Sequence, residues 1–196
     1  YKFVKWTIDG EEASTDAEYT FTVTRNVNIQ AIFEPLQYTV NVVVGENGTV
    51  TGDGIHNFGE NATVTVTANE GYKFVGFENI EATEPTLTFM VTNDTTFTAM
   101  FKKILNVTAS ANVENAGTVT VSPEGEILEG DEVTAKATVN KGYNFVNWTV
   151  GDNEVSDNTE YTFNVTDNIA LVANFEPIQY TVNVVVGENG TVTGDG

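Results

Sequence analysis

Cysteine is absent from the 196 residues, histidine occurs once (His56), and 8 Lys and Arg stand against 28 Asp and Glu, a formal charge of −20. Each shortage removes a class of explanation. Without cysteine there is no disulfide framework and no Cys-ligated zinc site, although the compartment stays open. Scattered cations cannot neutralise a phosphate backbone, so nucleic acid is not an expected partner, and anionic membrane surfaces are disfavoured for the same reason. No apolar run approaches the roughly 20 residues a bilayer-spanning helix needs, so no membrane insertion is expected in this segment. No Met opens the chain and no signal peptide follows, so Tyr1 reads as the start of an excised window.

Self-similarity is what the chain has in abundance. YTVNVVVGENGTVTGDG stands at 38–54 and again, unchanged, at 180–196, and residues 1–37 align without a gap on 143–179; both offsets are 142 (180 − 38 and 143 − 1). At half that offset, 71, FGENATVTVTANEGYKFVGF (58–77) lies on EGDEVTAKATVNKGYNFVNW (129–148) with the Gly-Tyr pairs in register. The unit is therefore about 70 residues in two alternating versions. The boundaries read as the C-terminal half of a repeat at 1–37, complete repeats at 38–103 and 104–179, and the first hairpin of a further repeat at 180–196. The period places a Gly ahead of Tyr1 and a segment like IHNFGENATV after Gly196.

The local pattern alternates nearly everywhere. In YTVNVVV, Tyr38, Val40, Val42 and Val44 share a face; in NATVTVTAN, Ala62, Val64, Val66 and Ala68 do, with Thr63, Thr65 and Thr67 opposite. Such period-two segments are half-buried strands, and Thr suits the wet face because its branched Cβ fits the pleat while its hydroxyl stays solvated. No stretch keeps a helical period. Asn47-Gly48 and Asn189-Gly190 suit the positive φ of two-residue hairpins, and Gly71 and Gly142 suit longer loops ending in the left-handed conformation, so neighbouring strands are expected to pair as antiparallel hairpins. Six short strands per repeat imply an all-β fold: tandem small antiparallel β-sandwich or rolled-sheet repeats, or alternatively β-grasp-like ones. Only Glu-Pro-Leu/Ile-Gln separates copies, which predicts a semi-rigid rod in which neighbouring repeats of the same chain support one another.

The pattern Gly-Tyr-x-Phe-Val-x-Trp/Phe, Thr-Phe-x-Val-Thr, Ala-x-Phe resembles the divergent internalin-B-type B-repeat family of bacterial and archaeal cell-surface proteins. It is carried by Gly71, Tyr72, Phe74, Val75, Phe77, Phe89, Val91, Ala99 and Phe101 in one copy. In the other it is carried by Gly142, Tyr143, Phe145, Val146, Trp148, Phe163, Val165, Ala173 and Phe175. Phe77 stands where the family has Trp. The resemblance implies an extracellular, cell-surface stalk or adhesin segment, and its motif residues (Tyr72, Phe74, Phe77, Tyr143, Phe145, Trp148) are structural.

Chemistry-bearing residues are few. His56, in GDGIHNFGE, reads as a loop residue: the other complete copy lacks it, and a nucleophilic triad needs a hydroxyl poised against it and a carboxylate behind it. Carboxylate pairs are too common in so acidic a chain to single out a glycosidase site. Oxygen-rich loops at 151–158 and 51–54 make Asp152, Glu154 and Asp157 calcium candidates, though neither loop has a defined Ca²⁺-ligand spacing, so no cofactor is expected unless it is Ca²⁺. Trp6 and Trp148 are read as core residues over sugar-stacking platforms. Lys136 alternates outward with Thr134 and Thr138, against an internal Lys-Asn crosslink. Asn-x-Ser/Thr sequons stand at Asn47, Asn61, Asn93, Asn106, Asn147, Asn164 and Asn189. The expectation is a non-enzymatic extracellular spacer. The alternatives are a module binding a surface glycan or protein, and a filament subunit assembling with like chains by β-strand complementation.

Overall fold

The computed structural model describes residues 1–194; Asp195 and Gly196, at the end of the segment expected at 180–196, lie outside the described residues. Among the described residues there is no helix. The chain divides into two compact units between Lys102 and Lys103.

The first unit opens with β1 (Lys2–Ile8), β2 (Glu11–Ser14) and β3 (Ile29–Glu34), an antiparallel sheet in the order β2-β1-β3. Seven strands follow: β4 (Gln37–Val43), β5 (Gly48–Thr51), β6 (Gly54–Asn57), β7 (Asn61–Ala68), β8 (Tyr72–Phe77), β9 (Thr86–Met90) and β10 (Thr95–Leu105). One sheet takes β8, β10, β4 and β6, the other β5, β7 and β9. Alternation decides the rest. Val40 and Val42 of β4, Ala62, Val64 and Val66 of β7, Phe77 of β8, and Phe97 and Ala99 of β10 are buried in one cluster, against which Leu87 and Phe89 of β9 pack. On the outer face of β7 the threonines meet β9 hydroxyl to hydroxyl, Thr63 to Thr88 at 2.9 Å and Thr65 to Thr86 at 3.2 Å.

The second unit repeats this plan with β11 (Val107–Ala111), β12 (Gly117–Ser122), β13 (Ile127–Leu128), β14 (Glu132–Val139), β15 (Tyr143–Val150), β16 (Asn153–Ser156), β17 (Glu160–Asn164) and β18 (Ile169–Pro177). Its sheets are β11-β18-β15-β16 and β12-β14-β17, and β13 pairs with Ile104 and Leu105. The strands outnumber the expected six because short segments such as β6 and β13 pair over only four and two residues.

The hairpins expected at Asn47-Gly48, Gly71 and Gly142 do not form, and among the described residues no strand flanks Asn189-Gly190. The Asn47-Gly48 turn carries the chain from β4, which pairs with β6 and β10, to β5, which pairs with β7. The loops at Gly71 and Gly142 likewise join β7 to β8 and β14 to β15 across the two sheets of each unit. These turns are arches: consecutive strands face each other through side chains, because each has an apolar face that only the opposite sheet can cover. The first strand of each repeat instead pairs in parallel with the last, Val40 opposite Thr95 and Val107 opposite Ile169. Neither Asn47 nor Gly48 takes the expected positive φ, and Gly48 is required by space instead. A Cβ there would lie 2.5 Å from Phe101 Cζ and 2.8 Å from the Thr67 carbonyl, and one at Gly117 would lie 2.6 Å from both Phe175 Cζ and the Thr138 carbonyl.

The two cores differ around one ring. Phe77 becomes Trp148 at the equivalent place, and its neighbours shrink: Val64, Val66 and Phe97 of the first core answer to Ala135, Ala137 and Leu171 of the second. A close-packed interior tolerates a larger ring only if the facing side chains retreat.

Candidate functional site

His56 lies within strand β6, opposite Tyr38, and not in a loop; the Gly-rich flanks that suggested a loop mark the ends of a four-residue strand. Its Nε2 is 3.0 Å from the Gly52 carbonyl oxygen and its Nδ1 3.5 Å from Glu60 Oε1. The Asn57 backbone N–H donates to Glu60 Oε2 at 3.0 Å, and this bond, aided by His56, holds the Glu60 carboxyl below its ordinary range. Both ring nitrogens are thus engaged by a carbonyl and a carboxylate, and the cluster ties β6 to the start of β7.

The calcium candidates are strung out along one hairpin. Asp152 is in the β15–β16 turn, Glu154 sits opposite Thr149 within β16, and Asp157 follows that strand; all three are exposed. Glu154 accepts a hydrogen bond from Asn147 Nδ2, and Asn147 Oδ1 accepts one from Asn174 Nδ2 at 2.8 Å. Among the described residues no three His, Asp or Glu side chains converge on one point.

The aromatic motif residues point inward. Phe74 packs edge-on to Phe77 and Phe101, and Phe145 packs edge-on to Phe175 and tilted against Trp148, at ring separations of 5.0–6.0 Å. Tyr72 and Tyr143 are half-buried at the starts of β8 and β15. Trp148 is fully buried and offers no face to a sugar ring. Among the described residues its Nε1–H has no acceptor, whereas Trp6 Nε1 donates to the Ala17 carbonyl at 3.3 Å. The counterpart of Ala17 is Thr159, whose carbonyl is claimed by the Ala137 N–H at 2.8 Å. Ladder formation by β14 therefore leaves the indole unpaired. Lys136 points outward to Glu160 at 3.6 Å.

Two clefts flank the Glu-Pro-Leu/Ile-Gln segments. One of about 130 Å³ is lined by Tyr1, Pro35, Leu36, Asn57 and Phe58. The other, about 350 Å³, is lined by Asn144, Glu176, Pro177, Ile178 and Gln179. The first is well below the roughly 300–1,000 Å³ of small-molecule sites, and the second brings a single charged group to bear.

Sequence reasoning missed a set of side chains that fix the ends of first and last strands. Asp94 Oδ1 accepts the Thr39 N–H at 2.7 Å, and its counterpart Asn168 accepts the Asn106 N–H at 2.8 Å. Asn112 brackets Phe175, donating to its carbonyl at 3.2 Å and accepting its N–H at 2.8 Å, and so extends the edge of β18 past the end of β11. The only available signal was the recurrence of an Asx residue at that place in each copy. The polar side chains brought together in this way serve backbone geometry.

Comparison with known proteins identifies the family. No curated protein matches the chain. The family profile described as the divergent InlB B-repeat domain matches it three times, over residues 1–37, 38–105 and 106–179. Three matches that follow one another along nearly the whole chain place it in that family: the protein belongs to the divergent InlB B-repeat family.

Proposed function

We propose that this chain is a non-enzymatic structural segment, a stalk or spacer within an extracellular cell-surface protein. The observation that carries the proposal is the use made of the recurring residues: most of the aromatic and valine set that defines each repeat lies in the cores, Val146 being exposed, and recurring Asx residues fix strand ends. Net charge of −20 favours the role, because like-charged segments stay soluble and apart. Among the described residues no helix is long and apolar enough to cross a membrane.

The test is replacement. In a surface protein carrying these repeats, residues 38–179 are exchanged for an unrelated β-repeat segment of equal reach, and display of the distal domain is measured by antibody accessibility. The proposal expects display and the partner's binding to persist. Loss of binding with display intact would move the function into the repeats themselves.

A further inference from the structure

We infer that the parallel pairing of first and last strand inside each complete repeat is a mechanical clamp, and that the repeats bear tensile load along the chain. That such load arises in a stalk rests on the proposed function; the clamp itself rests on strand pairing alone.

Topology sets the direction of loading. Tension on the chain draws a repeat's first strand toward its own N-terminal end and the last strand toward its C-terminal end. Where the two strands are antiparallel these ends lie together, and the bonds between the strands open one after another. Here they are parallel, β4 with β10 and β11 with β18, so the loaded ends lie at opposite ends of the pair. The strands are then pulled to slide past each other, and the evenly spaced bonds of a parallel ladder carry the force together. The strands between, β5 to β9 and β12 to β17, lie off this path until the pair gives way. The inner faces of the clamp are dry: Val40 and Val42 of β4 and Leu171 and Ala173 of β18 are at most 5% exposed.

Both clamps are closed at the entry end by a side chain. Asp94 Oδ1 accepts the Thr39 N–H in the first unit, and in the second Asn168 Oδ1 accepts the Asn106 N–H while the Ile169 N–H donates to the Asn106 carbonyl at 2.9 Å. The exit ends differ. The second unit pairs five residues of each strand, from Val107 opposite Ile169 to Ala111 opposite Ala173, where the first pairs four. Asn112 then adds its own N–H to the Ala173 carbonyl at 3.0 Å and brackets Phe175 with its side chain. With Val40 set on Val107, the position of Asn112 falls on Gly45, which has no side chain to form that bracket. The second unit is therefore the stronger clamp, and the exposed end of its pair is the end that sliding must break.

Optical tweezers on the 196-residue chain test the inference, since a chain without cysteine takes handles only where cysteines are introduced. Lys103→Cys with Gln179→Cys loads β11 and β18 from opposite ends; Lys103→Cys with Asp167→Cys loads them from the same end. At one loading rate the first pair is expected to rupture the second unit at about twice the force of the second pair or more, because forced unfolding follows the barrier along the pulled direction. Asn112→Gly is expected to lower the opposite-end force toward that of the first unit, pulled between Pro35→Cys and Lys103→Cys, and to leave the same-end force unchanged. A variant that only weakened the unit would lower both. Equal forces in the two directions overturn the inference, a comparison that needs no change to the clamp, and so does an equal loss in both directions on Asn112→Gly. These outcomes are separate from display of a distal domain, so a weak clamp would leave the spacer role standing, and lost display would leave the clamp.

Discussion

The exchange of Phe77 for Trp148 predicts a thermodynamic coupling that the unfolding of the second unit can measure. Trp148 is fully buried in one cluster with Ala135 and Ala137, while Phe77 shares its cluster with Val64 and Val66. Truncating a buried Trp to Ala costs about 3–5 kcal/mol, so Trp148→Phe, a smaller loss of volume, costs about 1–2 kcal/mol. Release of the unpaired indole N–H returns part of that, since an unsatisfied buried donor costs about 1–3 kcal/mol. Alone, Ala135→Val and Ala137→Val force extra methyl groups against the indole and destabilise by about 1–3 kcal/mol each. The triple variant restores the first unit's residues at three of the four exchanged positions, Leu171 being kept, and is expected within about 1.5 kcal/mol of the parent, as exchanges that nearly conserve volume are. Urea unfolding followed by far-UV circular dichroism, with all single and triple variants, gives the coupling. Additivity of the three single effects to within about 0.5 kcal/mol would refute compensation as the reason the two rings differ.

Further perturbations test other parts of the same reasoning. Gly48→Ala and Gly117→Ala place a methyl group 2.5–2.6 Å from the Phe101 and Phe175 rings, so each is expected to lower its own unit's unfolding free energy by about 1–3 kcal/mol, with equal effects in thermal melts of the two units. Asp9 and Glu60 have carboxyl pKa values lowered from 3.8 and 4.5, by the Asn28 N–H then Arg25 and by the Asn57 N–H then His56 respectively. A lowered folded-state value means stabilisation that is complete above the ordinary value and lost as pH falls through the folded one. Glu60→Gln is therefore expected to flatten the acid limb of the first unit's stability below about pH 4.5 and to leave pH 7 melting little changed; an unaltered acid limb would remove Glu60 from the cause. Melting with EDTA and with millimolar Ca²⁺ is expected to give the same midpoint, since Asp152, Glu154 and Asp157 do not converge; a calcium-dependent rise that Asp157→Asn abolishes would reinstate that loop as a site.

Much of the fold was legible because alternation is a local property. Ala62, Val64 and Val66 and the threonines between them declare both faces of β7 in eight letters, and the structure buries and exposes them accordingly. The Asn47-Gly48 turn was legible as a turn and misleading as a hairpin. A reversal of chain direction looks the same in sequence whether the next strand joins the same sheet or crosses to the opposite one. The choice is made by partners far away, β10 for β4 and β7 for β5. Distance also hid the strand-end fixings: Thr39 and Asp94 are 55 residues apart, and neither residue type is unusual alone. His56 was misplaced because its four-residue strand is pinned by Tyr38 on a strand that precedes the Gly-rich stretch. The buried Trp148 was legible from its replacement by Phe77 in an equivalent strand, but its unpaired indole N–H was not, since that depends on which N–H claims the Thr159 carbonyl.

The spacer role makes a quantitative demand on the 142-residue block that spans one repeat of each version. Chains with one, two, three and four such blocks, each closed at both ends by complete repeats, can be compared by small-angle X-ray scattering. A stalk requires the maximum dimension to grow by the same increment with every block added. Growth that bends toward the square root of block number, as for freely jointed units, or toward the shallower power of a compact globule, would contradict it.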